Sequence, residues 1–298
     1  MSGKMVAILE SGGTKMVAAL SRGPGEIIAH KKIPTTTPEE TIHRLVEFFE
    51  REQSAHGKAE ALAIGTFGPA DLEVGSATYG FITSTPKIGW SQTDLLGPLR
   101  KAIADVPVVF ETDVNAALFG EVSWGAAKGF RHAAYFTVGT GIGGSLIVDD
   151  SLVHGSGHPE MGHMRVTKHL DDDFSGVCSF HGDCLEGLAC GPAIEKRWGR
   201  KAEELPADHP AWELQAYYLA QACVNVLTIA PVEKIILGGG VMHQEQLLGM
   251  VRQKVRQLVN GYLKLPNTED LIVLPALGDH AGLLGCVALG QEKTSMEL

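Results

Sequence analysis

Twice in this chain an apolar run breaks at a glycine-rich turn and then resumes, and that repetition constrains the fold more than any single motif. Met5–Leu9 gives way at Ser11-Gly12-Gly13-Thr14-Lys15 and continues as Met16–Leu20. About half a chain later, Ala133–Val138 breaks at Gly139-Thr140-Gly141-Ile142-Gly143-Gly144 and continues as Ser145–Val148. Each reads as a β-hairpin with a glycine turn, and each is followed by mixed helix and strand. Self-similarity of this kind predicts two α/β domains of one design. A chain of 298 residues is also too long for one compact core. The expected division is residues 1–115 and 116–279, with a closing helix at about 280–291 that can pack back on the first domain.

Between the hairpins, Ile42, Leu45, Val46 and Phe49 fall at helical spacing within Pro38–His56. A buried strand is expected at Ala61–Gly65, a helix at Thr93–Ile103 and a strand at Val106–Phe110. A further helix starts at Asp113, a natural N-cap residue ahead of an Ala- and Leu-rich run. Beyond the second hairpin, Ser151–Cys190 is polar, rich in His, Gly and Asp, and nearly without periodicity. So long an irregular segment needs something other than an apolar core to order it. After it come a helix at about 211–229, a strand at Lys234–Leu237, a Gly-Gly-Gly turn, a helix at 244–258, a strand at 271–274 and the closing helix.

Hydrophobic residues make up 44% of the chain and charged residues 20%, the balance of a globular protein. No apolar run approaches the roughly 18 residues that cross a bilayer. The start MSGKMVAILESGG lacks a cleavage site and reads as a strand, so the expected location is the cytoplasm. A net charge of −10, with Lys and Arg scattered, argues against a nucleic-acid partner. It does not argue against a nucleotide, which needs only local donors and a metal ion.

The glycine turns admit two readings. GGTK at 12–15 is not a Walker loop, because the spacing is wrong and a strand follows. It is either a plain hairpin turn or a phosphate cradle of backbone N–H groups and a Thr hydroxyl. GTGIGG at 139–144 lacks the following helix that a dinucleotide fingerprint requires, so an NAD site is rejected. Gly238-Gly239-Gly240 ends an apolar strand, where small residues would let a ribose or base lie close; glycine triplets are also often only turns. Asp113 can cap its helix, worth about 1 kcal/mol. It can also serve as the base that takes a hydroxyl proton in phosphoryl transfer.

Five cysteines in a chain without an export signal do not suggest a disulfide framework. Cys190, Cys223 and Cys286 sit among small apolar residues and read as buried packing. Cys178 and Cys184 differ, because His181 stands three residues from each. Thiolates and imidazole at such short steps suit tetrahedral zinc, which would also order the polar segment. Spacing leaves the fourth ligand open among His154, His158, His163 and His169, and two free thiols among solvated histidines remain the plain alternative. Glu160 and Glu186 flank the segment, and nothing in their spacing singles them out.

The order of these pieces resembles the ROK family of sugar kinases over almost the whole chain, and particularly its bacterial zinc-containing fructokinases. ESGGTK at 10–15 resembles the first phosphate motif, GTGIGG at 139–144 the second, and GGGV at 238–241 the adenosine motif. ETDVNAA at 111–117 resembles the catalytic-aspartate segment. HPEMGH at 158–163 with CSFHGDCLEGLACGP at 178–192 resembles the family's sugar-binding and zinc signature, the most specific match. The resemblance implies a two-domain actin/hexokinase-like ATPase fold with ribonuclease H-like domains and a zinc-binding segment at about 158–190.

It also implies roles. Asp113 becomes the general base, and Thr112, Glu160, His163 and Glu186 become sugar ligands. His163 joins Cys178, His181 and Cys184 around a structural zinc. Gly12, Gly13, Thr14, Lys15, Thr140 and Gly141 become phosphate contacts, Gly238, Gly239 and Gly240 the nucleoside wall, and Glu10 a helper of Mg²⁺ through water. The implied reaction is ATP-dependent phosphorylation of a hexose, with a homodimer as the implied assembly. Thr112 stands where glucokinases and amino-sugar kinases usually have Asn, and Cys178-Ser-Phe-His181 replaces the commoner Cys-x-Cys; both favour fructose. The alternatives are a kinase for glucose, mannose or an N-acetylhexosamine, and a non-enzymatic sugar sensor. Regulators of the family carry a DNA-binding motif ahead of the first phosphate motif, which here begins at Glu10.

Overall fold

The computed structural model describes residues 3–296 apart from Pro86 and Asp105. The chain divides into two compact units, the first made of Met1–Ser123, His154–His158 and His280–Leu298, the second of Trp124–Val153 and Pro159–Asp279.

In the first unit, β1 (Val6–Ser11) pairs antiparallel with β2 (Lys15–Gly23), and β2 with β3 (Glu26–Pro34). On its other side β1 pairs parallel with β4 (Ala61–Thr66). A small hairpin of β5 (Phe81–Ile82) and β6 (Thr93–Asp94) stands apart, and β7 (Val108–Thr112) joins β4 in parallel, giving the order β3-β2-β1-β4-β7. Val6–Leu9 and Ala61–Ile64 are fully buried, as expected of central strands covered on both faces. One face packs on α1 (Pro38–His56) through Leu45, Phe48 and Phe49, and on α2 (Leu96–Ile103) through Leu96, Leu99 and Ile103. The closing helix, Ala281–Met296, packs against β1 and β4.

Two local differences from the sequence reading have simple causes. β3 carries no alternating pattern because it is an edge strand, with Lys31 and Lys32 exposed, and lysines at an edge discourage further pairing. The helix expected from Thr93 starts at Leu96, since Thr93 and Asp94 pair with Phe81 and Ile82 and Asp94 Oδ1 accepts the Gly97 N–H (2.7 Å).

In the second unit β8 (Ala133–Val138) pairs antiparallel with β9 (Ile142–Val148), and β9 with β10 (Ser151–Leu152). β8 pairs parallel with β11 (Lys234–Gly238), and β11 with β12 (Ile272–Val273), so the order is β10-β9-β8-β11-β12. Strand for strand this is the order and sense of the first sheet. The core gathers Phe136 and Leu237 with Trp212, Tyr218 and Leu219 of a long helix, Ala211–Ile229. Cys190, Cys223 and Cys286 are buried. Among the described residues, no helix is long and apolar enough to cross a membrane.

Candidate active site and metal cluster

In the first unit the glycine turn closes with Gly12 N–H donating to Lys15 O (3.0 Å). At the far end of the sheet's parallel half, β7 runs into α3 (Asp113–Trp124). The cap of α3 is not Asp113 but Thr112, whose Oγ1 accepts the Asn115 N–H (3.1 Å). Thr112 still has strand geometry and reaches the third amide of the helix, the ordinary capping bond. Asp113 is the first helical residue, and its Oδ1 accepts the Val114 N–H (2.8 Å). The carboxylate therefore lies at the positive end of α3, where negative charge is favoured.

Glu111, one residue before Thr112, is buried and doubly tied: one oxygen accepts from Asn115 Nδ2 (2.8 Å), and the other bonds His154 Nε2 (2.7 Å). His158 Nε2 accepts the Ala70 N–H (3.2 Å). These two histidines, candidates for a metal by spacing, thus bind the first unit's own polar groups. The buried Cys286 thiol lies among carboxylates; burial and then the charge of Glu10, with Asp113 and Glu111 adding to it, raise its pKa far above the ordinary value. Glu10, Asp113 and Glu111 therefore share one neighbourhood. The ETDVNAA motif made Asp113 visible in the sequence, while the Glu111–His154 bond spans 43 residues and left no local signal.

In the second unit the turn after β8 is held at both ends. Gly139 N–H donates to Gly141 O (2.9 Å), and Gly191 N–H donates to Gly139 O (2.7 Å). Glu186 Oε2 accepts the Ile142 N–H (2.9 Å), so this carboxylate lies against the turn itself. A side chain at 141 would put its Cβ 2.6 Å from that oxygen. The glycines at 238 and 239 have a different cause from the one their sequence suggests. A Cβ at Gly238 would run into Tyr135 Oη, and one at Gly239, where φ is +89°, would lie 2.5 Å from Val138 O. They make room for β8, and only Gly240 faces open space.

The long polar link brings four candidate ligands together: His163, Cys178, His181 and Cys184 have donor atoms within 4.8 Å of one another. Cys178 N–H donates to Gly182 O (3.3 Å) and Gly182 N–H to Cys178 O (2.9 Å), a tight loop that returns His181 towards Cys178. Leu185 N–H donates to Met164 O (3.0 Å), which sets Cys184 beside the His163 turn. Cys178 Sγ lies 3.7 Å from His163 Nδ1 and 3.6 Å from His181 Nδ1; Cys184 Sγ lies 3.5 Å from His163 Nδ1. A tetrahedral ion with metal–sulfur bonds of about 2.3 Å and metal–nitrogen bonds of about 2.0–2.1 Å places S and N about 3.6 Å apart. The donor set therefore fits a tetrahedral metal. Burial raises the Cys184 thiol pKa, and Cys178 beside it adds to the shift, so a metal would bind with release of protons.

The link has a second anchor that composition hides. Arg197 Nη2 (3.0 Å) and Tyr218 Oη (2.6 Å) both donate to Asp172 Oδ2, with the arginine and aspartate side chains 8% and 3% exposed. His169, the remaining spacing candidate, lies 3.7 Å from Asp171 and edge-on to Tyr217, away from the sulfurs. Glu160 precedes the 3₁₀ turn Met161–His163 and accepts the His163 N–H through its carbonyl (3.0 Å).

Duplicated sheets of this order, each opening on a glycine hairpin, give the chain the actin/hexokinase-like ATPase fold. The chain belongs to the ROK family, whose profile matches residues 6–293. A putative fructokinase of Bacillus subtilis (strain 168) is 44% identical over 98% of this chain and 97% of its own length. A fructokinase of Zymomonas mobilis is 43% identical over 96% of each. The crystal structure of a ROK hexokinase from Thermus thermophilus superposes with a TM-score of 0.81 at 27% identity, covering 98% of this chain and 99% of that one.

Proposed function

We propose that this chain is an ATP-dependent hexose kinase whose principal acceptor is D-fructose, phosphorylated on O6. The observation that carries the reading is near-full-length similarity to relatives named fructokinases, in a chain that keeps Asp113 at the head of α3 and both glycine turns. Asp113 takes the proton from the sugar hydroxyl as its oxygen attacks the γ-phosphorus; the bridging P–O bond breaks and ADP departs. Because Thr112 supplies the bond to Asn115 N–H, the proton-accepting role of Asp113 does not compete with capping.

In the first unit the turn binds phosphate through N–H groups of Gly13 and Thr14; in the second, the Thr140–Gly141 turn binds phosphate and Gly240, the one glycine of its triplet that faces open space, flanks the nucleoside. Mg²⁺ would neutralise phosphate charge when ATP is bound, and Glu10 would help to hold it through water. Thr112, Glu160, His163 and Glu186 orient the sugar. At the cluster two thiolates and two imidazoles would hold zinc, and with four protein ligands the ion would be structural. His163 turns Nδ1 towards the sulfurs, so a bound metal would leave the ring proton on Nε2, free to meet a sugar hydroxyl. The enzyme works in the cytoplasm, where ATP is made, as a homodimer that light scattering would detect.

The test is ADP release measured over fructose, mannose, glucose and N-acetylglucosamine, with NMR of the product. Fructose should give the highest kcat/KM, with phosphate on O6. Thr112→Asn keeps a good capping residue, so the fold should persist while the preference moves towards glucose. An N-acetylated hexosamine at the head of the wild-type ranking would sink the fructose assignment, and no turnover of any hexose would sink the kinase reading.

A further inference from the structure

Whether a glycine turn can bind an anion depends on which of its backbone groups face outward. In the first turn two carbonyls are held from outside by one residue. Thr35 Oγ1 donates to Gly12 O (2.7 Å), and Thr35 N–H donates to Thr14 O (3.0 Å). Thr35 is 8% exposed, so water competes little for these bonds. It lies between the end of β3 at Pro34 and the start of α1 at Pro38, and this short link is itself fixed. Thr36 N–H donates to Thr41 Oγ1 (3.0 Å), Thr37 caps α1, and the buried Trp90 indole N–H donates to Thr36 O (2.8 Å).

We infer that Thr35 is the positioning residue of the first phosphate turn. In a planar trans peptide the C=O and the following N–H point in opposite directions. Drawing Gly12 C=O towards Thr35 therefore aims the Gly13 N–H away from it, and a Cβ at position 13 would meet nothing within 4 Å. Without the hydroxyl, that peptide could rotate and turn its oxygen towards a phosphate, replacing attraction by repulsion. Thr35 acts on the nucleotide only through the turn. The inference rests on the proposed function, in which this turn meets the phosphates of ATP.

Thr35→Val removes the hydroxyl, keeps the shape and keeps the N–H bond to Thr14. The expected result is a rise of about 10-fold in the KM for ATP, with the KM for the hexose within about 2-fold, and Thr35→Ser should restore most of the loss. Calorimetry with MgATP separates the two readings. A wild-type protein that binds no MgATP overturns the kinase reading and this inference together. A wild-type protein that binds, with Thr35→Val binding equally well, overturns the inference alone. Equal losses for both substrates without rescue by Ser would mark a general folding defect and also overturn it. Should the Val variant not fold, the wild-type protein still decides: the Gly13 amide resonance must shift when MgATP is added, and an unmoved resonance refutes the assignment.

Discussion

The two sheets have the same strand order and open on the same kind of hairpin, yet their third-to-fourth strand connections differ widely. In the first unit residues 35–60 make a short link and one helix; in the second, residues 153–233 carry the Cys/His cluster, Glu160 and Glu186. In both units that connection supplies the groups that brace the glycine turn. Thr35 does so one residue after β3, with two donated hydrogen bonds. Gly191 and Glu186 do so in the second unit, and both lie just beyond Cys184. The first brace needs no ligand. The second lies in the segment that carries the Cys/His cluster and the Asp172–Arg197–Tyr218 contacts. A duplicated backbone thus repeats where a turn is held without repeating what holds it.

The largest effect expected is on the chemistry, which the proposed function assigns to Asp113 in the first unit. Asp113→Asn preserves shape and the acceptor for the Val114 N–H but cannot take a proton, so kcat should fall by at least about 10²-fold while ATP and sugar still bind. Near-normal turnover in the folded variant would show that the base lies elsewhere.

Next comes the metal. Cys184→Ser should reduce metal content from about one ion per chain to none by elemental analysis and lower Tm by about 5–10 °C. Because Glu186 follows two residues later, binding of both ATP and sugar should weaken, and kcat/KM should fall by about 10-fold or more. A metal-free protein with unchanged Tm and activity would reduce the cluster to ordinary packing and leave the two braces equally independent.

Much of this contrast was legible in the sequence, and the illegible part has a common cause. Both hairpins, α1 and the helix at Ala211–Ile229 announce themselves because apolar periodicity is local. The edge strands β3 and β10 do not, since one is mostly exposed and the other is two residues long. Asp113 looks like the cap because its residue type permits it, but the strand already ends one residue earlier, which gives the role to Thr112. Four histidines were equal candidates beside the cysteines by spacing; the family resemblance pointed to His163, and the folded chain ties His154 to Glu111 and His158 to Ala70 while leaving His163 by the sulfurs. The braces are hydrogen bonds across 23 and 44 residues, a distance at which no sequence pattern operates.

A smaller effect should follow from crowding the second brace. The Cβ of Gly141→Ala would displace the Glu186 carboxylate, a movable group, so the fold should survive at a cost of the order of the lost hydrogen bond to Ile142, about 1–2 kcal/mol. Tm should drop by a few degrees, and kcat/KM for ATP should fall by roughly 10-fold. An unchanged Tm with unchanged kinetics would mean that Glu186 does not brace the turn.

The smallest structural effect is expected at Gly13, and its smallness makes it useful. A Cβ there meets no atom within 4 Å, and its φ lies outside the left-handed range that favours glycine. Gly13→Ala should therefore leave Tm within about 1–2 °C of wild type, as for a surface substitution away from any contact. The same open space is where the proposed phosphate would lie against the Gly13 N–H, so a methyl group there should raise the KM for ATP several-fold while the KM for the sugar stays put. At the second turn, stability and nucleotide affinity should move together because turn and brace are one structure. At the first they should come apart. Equal wild-type Tm and equal ATP affinity in Gly13→Ala would mean that the first turn does not touch the nucleotide, and the parallel between the two hairpins would then be one of fold alone.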